Sequence, residues 1–374
     1  MFIRLINWLL RLSKQVFSFR LFTASSLSSI AVLFSIGLGL SLIISACTST
    51  APTADVSSSP AQAPSPPPQT SQVSVLKLAH QKGMANLEFL KAQGNLEKRL
   101  KEQGIALEWA EFPSTAPLLE AMGVGTVVFG GGGATGSVFA QAGDKPFVRV
   151  AKEIASSPKG QPILVLDSSP IKTLADLKGK KVGFAKGASS QYLIVRALQD
   201  VGLTFEDIEP VYLSPQDARP AFERGDFDAW VIWDPYTAEA EKNLKVRRIA
   251  DAGTIFKDKV SVESPAFYYA APSFVKEQPE LLNTILEEVN NVATWARNNP
   301  KDAAKLLAER YNLPLDIMET VQSRQGDRRI EPLNEEVLTA LQNMADTFTE
   351  LKVIPKKINV KTSSYNWFSP KTWN

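Results

Sequence analysis

The sequence predicts an α/β protein built as two lobes, and three observations predict it. Short β-like runs alternate with helical patterns in the order βαβαβ from residue 73 onward, which argues a mostly parallel sheet covered by helices. A comparable order of strand, turn and helix recurs from "DLKGKKVGF" onward. The body that carries both halves, roughly 300 residues, is larger than one hydrophobic core comfortably serves.

Taken in chain order, the first segment stands apart from this body. Arg4, Arg11, Lys14 and Arg20 precede an apolar run from about Leu27 to Ala46, and no acidic residue occurs before Asp55. Residues 1–46 therefore read as an export signal. Ile44-Ser45-Ala46 leads into Cys47, the only cysteine in the chain. Small residues before a lone cysteine resemble a bacterial lipobox, with lipidation of Cys47 and cleavage before it. The competing reading is a retained membrane anchor, because an apolar run of roughly 19 to 20 residues can span a bilayer. Residues 47–72 are rich in Ser, Pro, Ala and Thr and have almost no bulky apolar side chains. Such a segment cannot bury enough surface to fold and serves as an extended tether.

The body opens with the strand-like "VSVLKLA", followed by "ANLEFLKAQGNLEKRLKEQG" with apolar residues at helical spacing and a stop at Gly104. "ALEWAEF" is a second strand, "TAPLLEAMGVG" a short helix and "TVVFG" a third strand. Ligands of open parallel sheets sit beyond the carboxyl ends of the strands. There the first strand runs into "AHQKGM", with His80 and Gln81, and the third runs into Gly130 to Gly133 and then a helical pattern. Consecutive glycines allow close backbone approach to a ligand, although a plain flexible turn is the alternative. In the second half, "FAKGASSQYLIVRAL" places Lys186-Gly187-Ala188-Ser189-Ser190 between a strand and a helix. The first amides of a helix lack intrahelical partners and carry partial positive charge, so this turn is suited to an anion. Ser189 or Ser190 could instead satisfy those amides as an ordinary cap. In "DAWVIWDPY", Trp230 and Trp233 face opposite sides of a strand, so one belongs to the core and Trp233, nearer the carboxyl end, to the cleft. Asp234 before Pro235 reads first as a helix N-cap.

Composition excludes several function classes. The formal charge is +2, and loss of residues 1–46, with four cations and no anion, takes it to −2. A basic nucleic-acid binder is not expected. With one cysteine and with His80 as the only histidine, no metal site, disulfide, redox pair or Ser-His-Asp machinery is expected, and no catalytic residue is assigned. "GFAKGASS" lacks the P-loop spacing, so no nucleotide and no other cofactor is expected.

The segments "LEWAEFPSTAPLLEAMGVG", "VFAQA", "SPIKTLADLKGKKVGFAKGASS", "VYLSPQDARPAFERGDFDAWVIWDPY" and "VIPKKINV" together closely resemble the substrate-binding proteins of ABC importers for aliphatic sulfonates. These group with the taurine-, nitrate- and thiamine-precursor-binding proteins. The resemblance runs from about Leu76 to about Val360 and leaves out the tether and "TSSYNWFSPKTWN". It implies a type II periplasmic-binding-protein fold, two α/β lobes joined by two crossovers near "QPILVLD" and "SPAFYYAA" with a ligand cleft between them. The first lobe would comprise 73–166 plus 266–374, including the helices "PELLNTILEEVNNVATWARNN" and "NEEVLTALQNMADTFTEL", and the second 167–265.

The resemblance further implies an exported, lipid-anchored monomer on the extracytoplasmic face that captures an alkanesulfonate or similar small organic anion. It would deliver this ligand to a membrane permease driven by a cytoplasmic ATPase. The donors would be the main chain of Gly131, Gly132, Gly133 and Ala134 and of Gly187 to Ser190, the Ser189 and Ser190 hydroxyls, and Gln81, with Trp233 walling the ligand tail. Relatives commonly carry Gly-Ser-Thr-Gly-Asp where this chain has Gly130 to Ala134, so hydroxyls and a carboxylate are missing. Other readings are a nitrate-, bicarbonate- or taurine-type binding protein, a sensory receptor, or an enzyme resembling the pyrimidine synthases of thiamine biosynthesis. The last relies on a cysteine-rich segment and a reactive histidine.

Overall fold

The structure is a computed structural model and describes residues 74–154 and 157–365. The expected signal 1–46, Cys47 with its tether 47–72, and the last residues of the first lobe, 366–374, lie outside the described residues. Among the described residues no helix is long and apolar enough to cross a membrane.

Two sheets form. In the first, β1 (Val75–His80) pairs parallel with β2 (Ala106–Glu111) and β3 (Phe129–Gly133). β4 (Val148–Glu153) follows, and in the second sheet come β5 (Pro162–Leu166), β6 (Lys181–Phe184), β7 (Glu209–Tyr212), β8 (Ala229–Val231) and β9 (Val246–Asp251). The chain then returns to the first sheet with β10 (Ala266–Ala270) and β11 (Ile330–Glu331). The strand orders are β11-β4-β10-β3-β1-β2 and β7-β6-β8-β5-β9. In each sheet the strand that follows a crossover lies antiparallel to its neighbours: β10 against β3 and β4, β5 against β8 and β9. This is the two-lobed α/β arrangement with two crossovers.

One boundary moves. Residues 162–166, assigned above to the first lobe, pair with β8 and β9 and belong to the second sheet. Ile163, Leu164 and Val165 are all fully buried, as suits a strand covered on both faces. A short apolar run of this kind carries no mark of which sheet it joins, so the register of its partners decides. The crossover therefore precedes Pro162.

Helix faces close the cores. The helix Pro279–Asn298 starts with proline in its first turn and buries Leu281, Leu282, Ile285, Leu286, Val289 and Val292 at three- and four-residue spacing. The helix Glu335–Glu350 does the same with Val337, Leu338, Leu341, Met344 and Phe348, and Asn334 caps it by accepting the Val337 N–H at 3.0 Å. Each such side chain contributes about 1.5–3 kcal/mol of burial. Phe348 meets Phe139 and Tyr192 edge-on at 5.3 and 5.7 Å, so aromatic packing joins a helix beside the first sheet to one beside the second. Arg149 on β4 is fully buried, and none of the hydrogen bonds it makes among the described residues is to a carboxylate. It donates to Ser137 Oγ, Gln141 Oε1 and the carbonyls of Val360 and Ser363, fastening the C-terminal segment to the first sheet. Burial lowers its pKa to about 10, which leaves it charged at neutral pH.

Candidate functional site

The carboxyl ends of strands from both sheets converge on a cavity of about 140 Å³. Gln81, Lys82 and Gly83 reach it after β1, Ser114 and Thr115 after β2, and Gly132 and Gly133 at the end of β3. From the other side come Ala188 and Ser189 after β6, Trp233 and Asp234 after β8, and Gly160 and Gln161 before β5. The helices Thr115–Gly123, Ala134–Ala142 and Ser189–Gln199 all begin here. Each brings the positive end of its dipole to the same space.

The polar groups are orientated by one another. Gln81 Nε2 donates to Gly131 O at 2.7 Å and to Thr115 Oγ1 at 3.2 Å, while the Gly133 N–H donates to the same Thr115 oxygen at 3.0 Å. Thr115 Oγ1 thus accepts twice, and its own proton is free to point elsewhere. Gln161 Nε2 donates to Ser189 Oγ at 2.8 Å, which leaves the serine proton in the same condition. Neither serine of the "KGASS" turn is a cap: the N-cap position is Ala188, with no side-chain cap bond. Gln191 instead fastens the turn that precedes the helix, its side-chain oxygen accepting the Gly187 N–H at 2.8 Å. Gly132 has to be glycine, because a Cβ there would stand 2.1 Å from Thr115 Oγ1 and 2.4 Å from Gln81 Nε2.

Charged groups also line the cavity. Asp234 Oδ1 accepts from the Ala238 N–H at 3.1 Å and from Arg324 Nη1 at 3.2 Å. Burial, opposed by Arg324, raises the Asp234 pKa to about 6. Glu153, at the end of β4, lines the cavity and accepts from Tyr268 OH at 3.1 Å and Asn86 Nδ2 at 3.3 Å. Burial raises its pKa to about 7 against the pull of Arg328. Arg328 is itself buried and holds Gln325, another wall residue, through Nε at 2.9 Å.

Comparison with known proteins places this arrangement. The model of the NMT1/THI5-like family matches residues 100–303, more than half of the chain. The chain belongs to the NMT1/THI5-like family. A relative from Escherichia coli (strain K12) named as an aliphatic sulfonates-binding protein is 38% identical over 286 residues, covering 76% of this chain and 87% of that one. The crystal structure of the periplasmic aliphatic sulphonate binding protein SsuA from Escherichia coli matches with a TM-score of 0.70 at 36% identity, over 79% of this chain and 93% of that one. The alkanesulfonate-binding protein SsuA from Xanthomonas axonopodis pv. citri, bound to MOPS, matches with a TM-score of 0.74 at 30% identity, over 79% and 99%.

In this NMT1/THI5-like chain the cavity brings together Gln81, Gly132, Gly133, Ser189 and Trp233 from the residues singled out by sequence. It does not bring in Gly131, Ala134, Gly187 or Ser190. Gly131 sits in mid-strand opposite Tyr268, with Met84 Cε 2.6 Å from where a Cβ would be. Ala134 is fully buried and its N–H is taken by Pro265 O at 3.0 Å. Gly187 turns with φ +68°, its N–H spent on Gln191, and packs against Ala116 and Phe139. Ser190 is fully buried inside its helix, with Oγ lacking a partner. Trp230 is the core tryptophan, packed on Phe222 at 5.5 Å, while Trp233 is half-buried at the cavity wall. His80 lies off the cavity, with Nδ1 at 2.6 Å from Glu88 and Nε2 accepting from Lys91 at 3.0 Å.

Sequence reasoning passed over Thr115, Gln161, Glu153, Ser264 and Arg324. For Thr115 a signal existed: "FPSTAP" follows a strand and opens a helix, just as "KGASS" does. The others depend on chain returning from distant segments.

Proposed function

We propose that this chain is the extracytoplasmic solute-binding lipoprotein of an ABC importer. It captures a short aliphatic sulfonate between its lobes and hands it to a membrane permease driven by a cytoplasmic ATPase. The observation that carries this reading is the set of neutral donors at one end of the cavity. Thr115 and Ser189 hydroxyls, each already accepting a hydrogen bond and so left with a proton to donate, stand at two helix N-termini that approach from opposite lobes. A sulfonate stays ionised at every physiological pH, and such donors with two dipole ends suit a permanent anion. Support comes also from the sulfonate-binding relatives. Binding across the crevice favours the closed arrangement of the lobes, the form a permease would recognise.

An enzyme of the same fold fits these residues less well. Both ring nitrogens of His80, the only histidine, are occupied by Glu88 and Lys91, which leaves no general base of that type for the cavity. The test is a thermal-shift panel of one- to eight-carbon sulfonates, nitrate, bicarbonate and sulfate. Short sulfonates should raise the melting temperature in proportion to the logarithm of their concentration. A shift with nitrate or bicarbonate alone rejects the sulfonate reading.

A further inference from the structure

An anion site accounts for only one end of the cavity. At the other end, Asp234 is 6% exposed and lines the wall, and among the described residues its Oδ2 is buried without a hydrogen-bond partner. Ser264, 7% exposed, and Ser157 line the same cavity, and both Oγ atoms are also buried and unpartnered among the described residues. Native proteins rarely leave such groups unsatisfied. Gly160 lies between two of them: a Cβ there would stand 2.8 Å from Ser157 Oγ and 3.0 Å from Asp234 Oδ2. The two oxygens are therefore close enough for one nitrogen to reach both. Of the nearby cations, Arg324 is held by Asp234 Oδ1 and Glu241, and the Lys82 ammonium lies over the Tyr311 ring at 5.5 Å. Arg328, which is not part of the cavity wall, gives its Nε to Gln325 and keeps a buried Nη1 without a partner among the described residues. Asp234 Oδ2 and the two serine oxygens on the wall receive no donor from any of these groups.

We infer that Asp234 Oδ2, Ser157 Oγ and Ser264 Oγ form a second subsite that takes an N–H or O–H group at the far end of the ligand. The favoured substrates are then short ω-amino- or ω-hydroxyalkanesulfonates rather than plain alkanesulfonates, a conclusion that rests on the sulfonate reading above. The two ends are close. Gln161, which donates to Ser189 Oγ, is the chain neighbour of Gly160. The cavity of about 140 Å³ has room for the equivalent of roughly five water molecules. A two-carbon chain between the two polar groups fills such a space. With its pKa raised to about 6 by burial, Asp234 is still an anion at pH 7.5, the state that favours an ammonium over a hydroxyl.

Calorimetric titration of the full chain at pH 7.5 with propanesulfonate, 2-aminoethanesulfonate and 2-hydroxyethanesulfonate tests this, since the three differ only in a terminal methyl, ammonium or hydroxyl. The ammonium ligand should bind about tenfold or more tightly than propanesulfonate, the range of one charge-assisted hydrogen bond, with the hydroxyl ligand between. Asp234→Asn should bring the ammonium-to-methyl affinity ratio towards one, and Ser264→Ala and Ser157→Ala should lower it about threefold each. Should Asp234→Asn fail to fold, the two serine variants carry the test. Equal affinities for ammonium and methyl ligands in the unaltered chain overturn the subsite and leave the sulfonate reading standing, as does a preference that persists in every variant. Binding of none of the three overturns both.

Discussion

Ser189 and Ser190 are adjacent in sequence and opposite in situation. Ser189 Oγ accepts from Gln161 and has a proton to spend on a ligand; Ser190 Oγ is sealed inside the protein with no partner. Ser189→Ala should weaken sulfonate binding about tenfold or more, the loss of ~1.5–3 kcal/mol that accompanies a charge-assisted hydrogen bond. Ser190→Ala should leave affinity unaltered and the melting temperature equal or higher, because it removes a buried hydroxyl that nothing satisfies. Titration calorimetry and thermal melts of both variants measure this, and an affinity loss confined to the Ser190 variant contradicts the assignment. The strand-to-helix turn itself was legible in sequence, because Gly and small polar residues between a β-like run and a helical pattern mark such a turn. Which of its serines faces the cavity was not, since that depends on the rotation of the first helical turn. The glycine run poses a similar difficulty. Successive strand residues face opposite sides, but four glycines have no side chains to show which are which, so Gly131 and Gly132 look alike until Met84 and Thr115 are placed beside them.

At the level of elements, the end of β4 carries a consequence for pH. Burial raises the pKa of Glu153 from 4.5 to about 7. The folded chain therefore holds a proton that the unfolded chain gives up once the pH exceeds 4.5. The contribution to stability is fully present below 4.5 and is lost as the pH rises through 7, by up to about 3 kcal/mol. Glu153→Gln keeps the shape of the neutral acid, so its melting temperature should depend less on pH between 5 and 8 and exceed that of the unaltered chain at pH 8. Thermal melts across this range decide the matter; parallel curves for the two proteins would show that Glu153 is not the group concerned. Strand existence and helix phase were readable here from periodicity, as in Leu281, Ile285 and Val289 on one face. Sheet membership was not. β5 is a five-residue apolar run, and only its pairing with β8 and β9 assigns it to the second sheet.

For the molecule as a whole, ion pairs tie the two lobes across the crevice. Arg324, beyond the helix Leu315–Ser323, reaches Asp234 and Glu241 of the second lobe, and Lys242 of that lobe pairs with Asp316. Arg324 is 15% exposed at its side chain, so solvent screens its pairs only in part. Arg324→Ala should shift the unliganded protein towards an open form and lower the affinity for any ligand that needs closure. Small-angle scattering would register a larger radius of gyration, and unchanged scattering with unchanged affinity would remove Arg324 from the closing mechanism.

If the chain hands its ligand to a membrane permease as proposed, its body has to stay at the membrane, and the lipobox-like sequence makes Cys47 the expected anchor. Such anchoring needs lipid on Cys47, because a single thiol offers no membrane affinity of its own, whereas each buried methylene of an acyl chain adds about 0.8 kcal/mol. Cys47→Ser removes the acceptor while leaving the apolar run Leu27 to Ala46 intact. The variant should therefore accumulate as a precursor held by that run, heavier than the mature protein and silent towards a fatty-acid probe, with ligand affinity unchanged. Metabolic labelling followed by electrophoresis compares the two chains directly: label that persists in the serine variant places the lipid elsewhere and rejects Cys47 as the anchor.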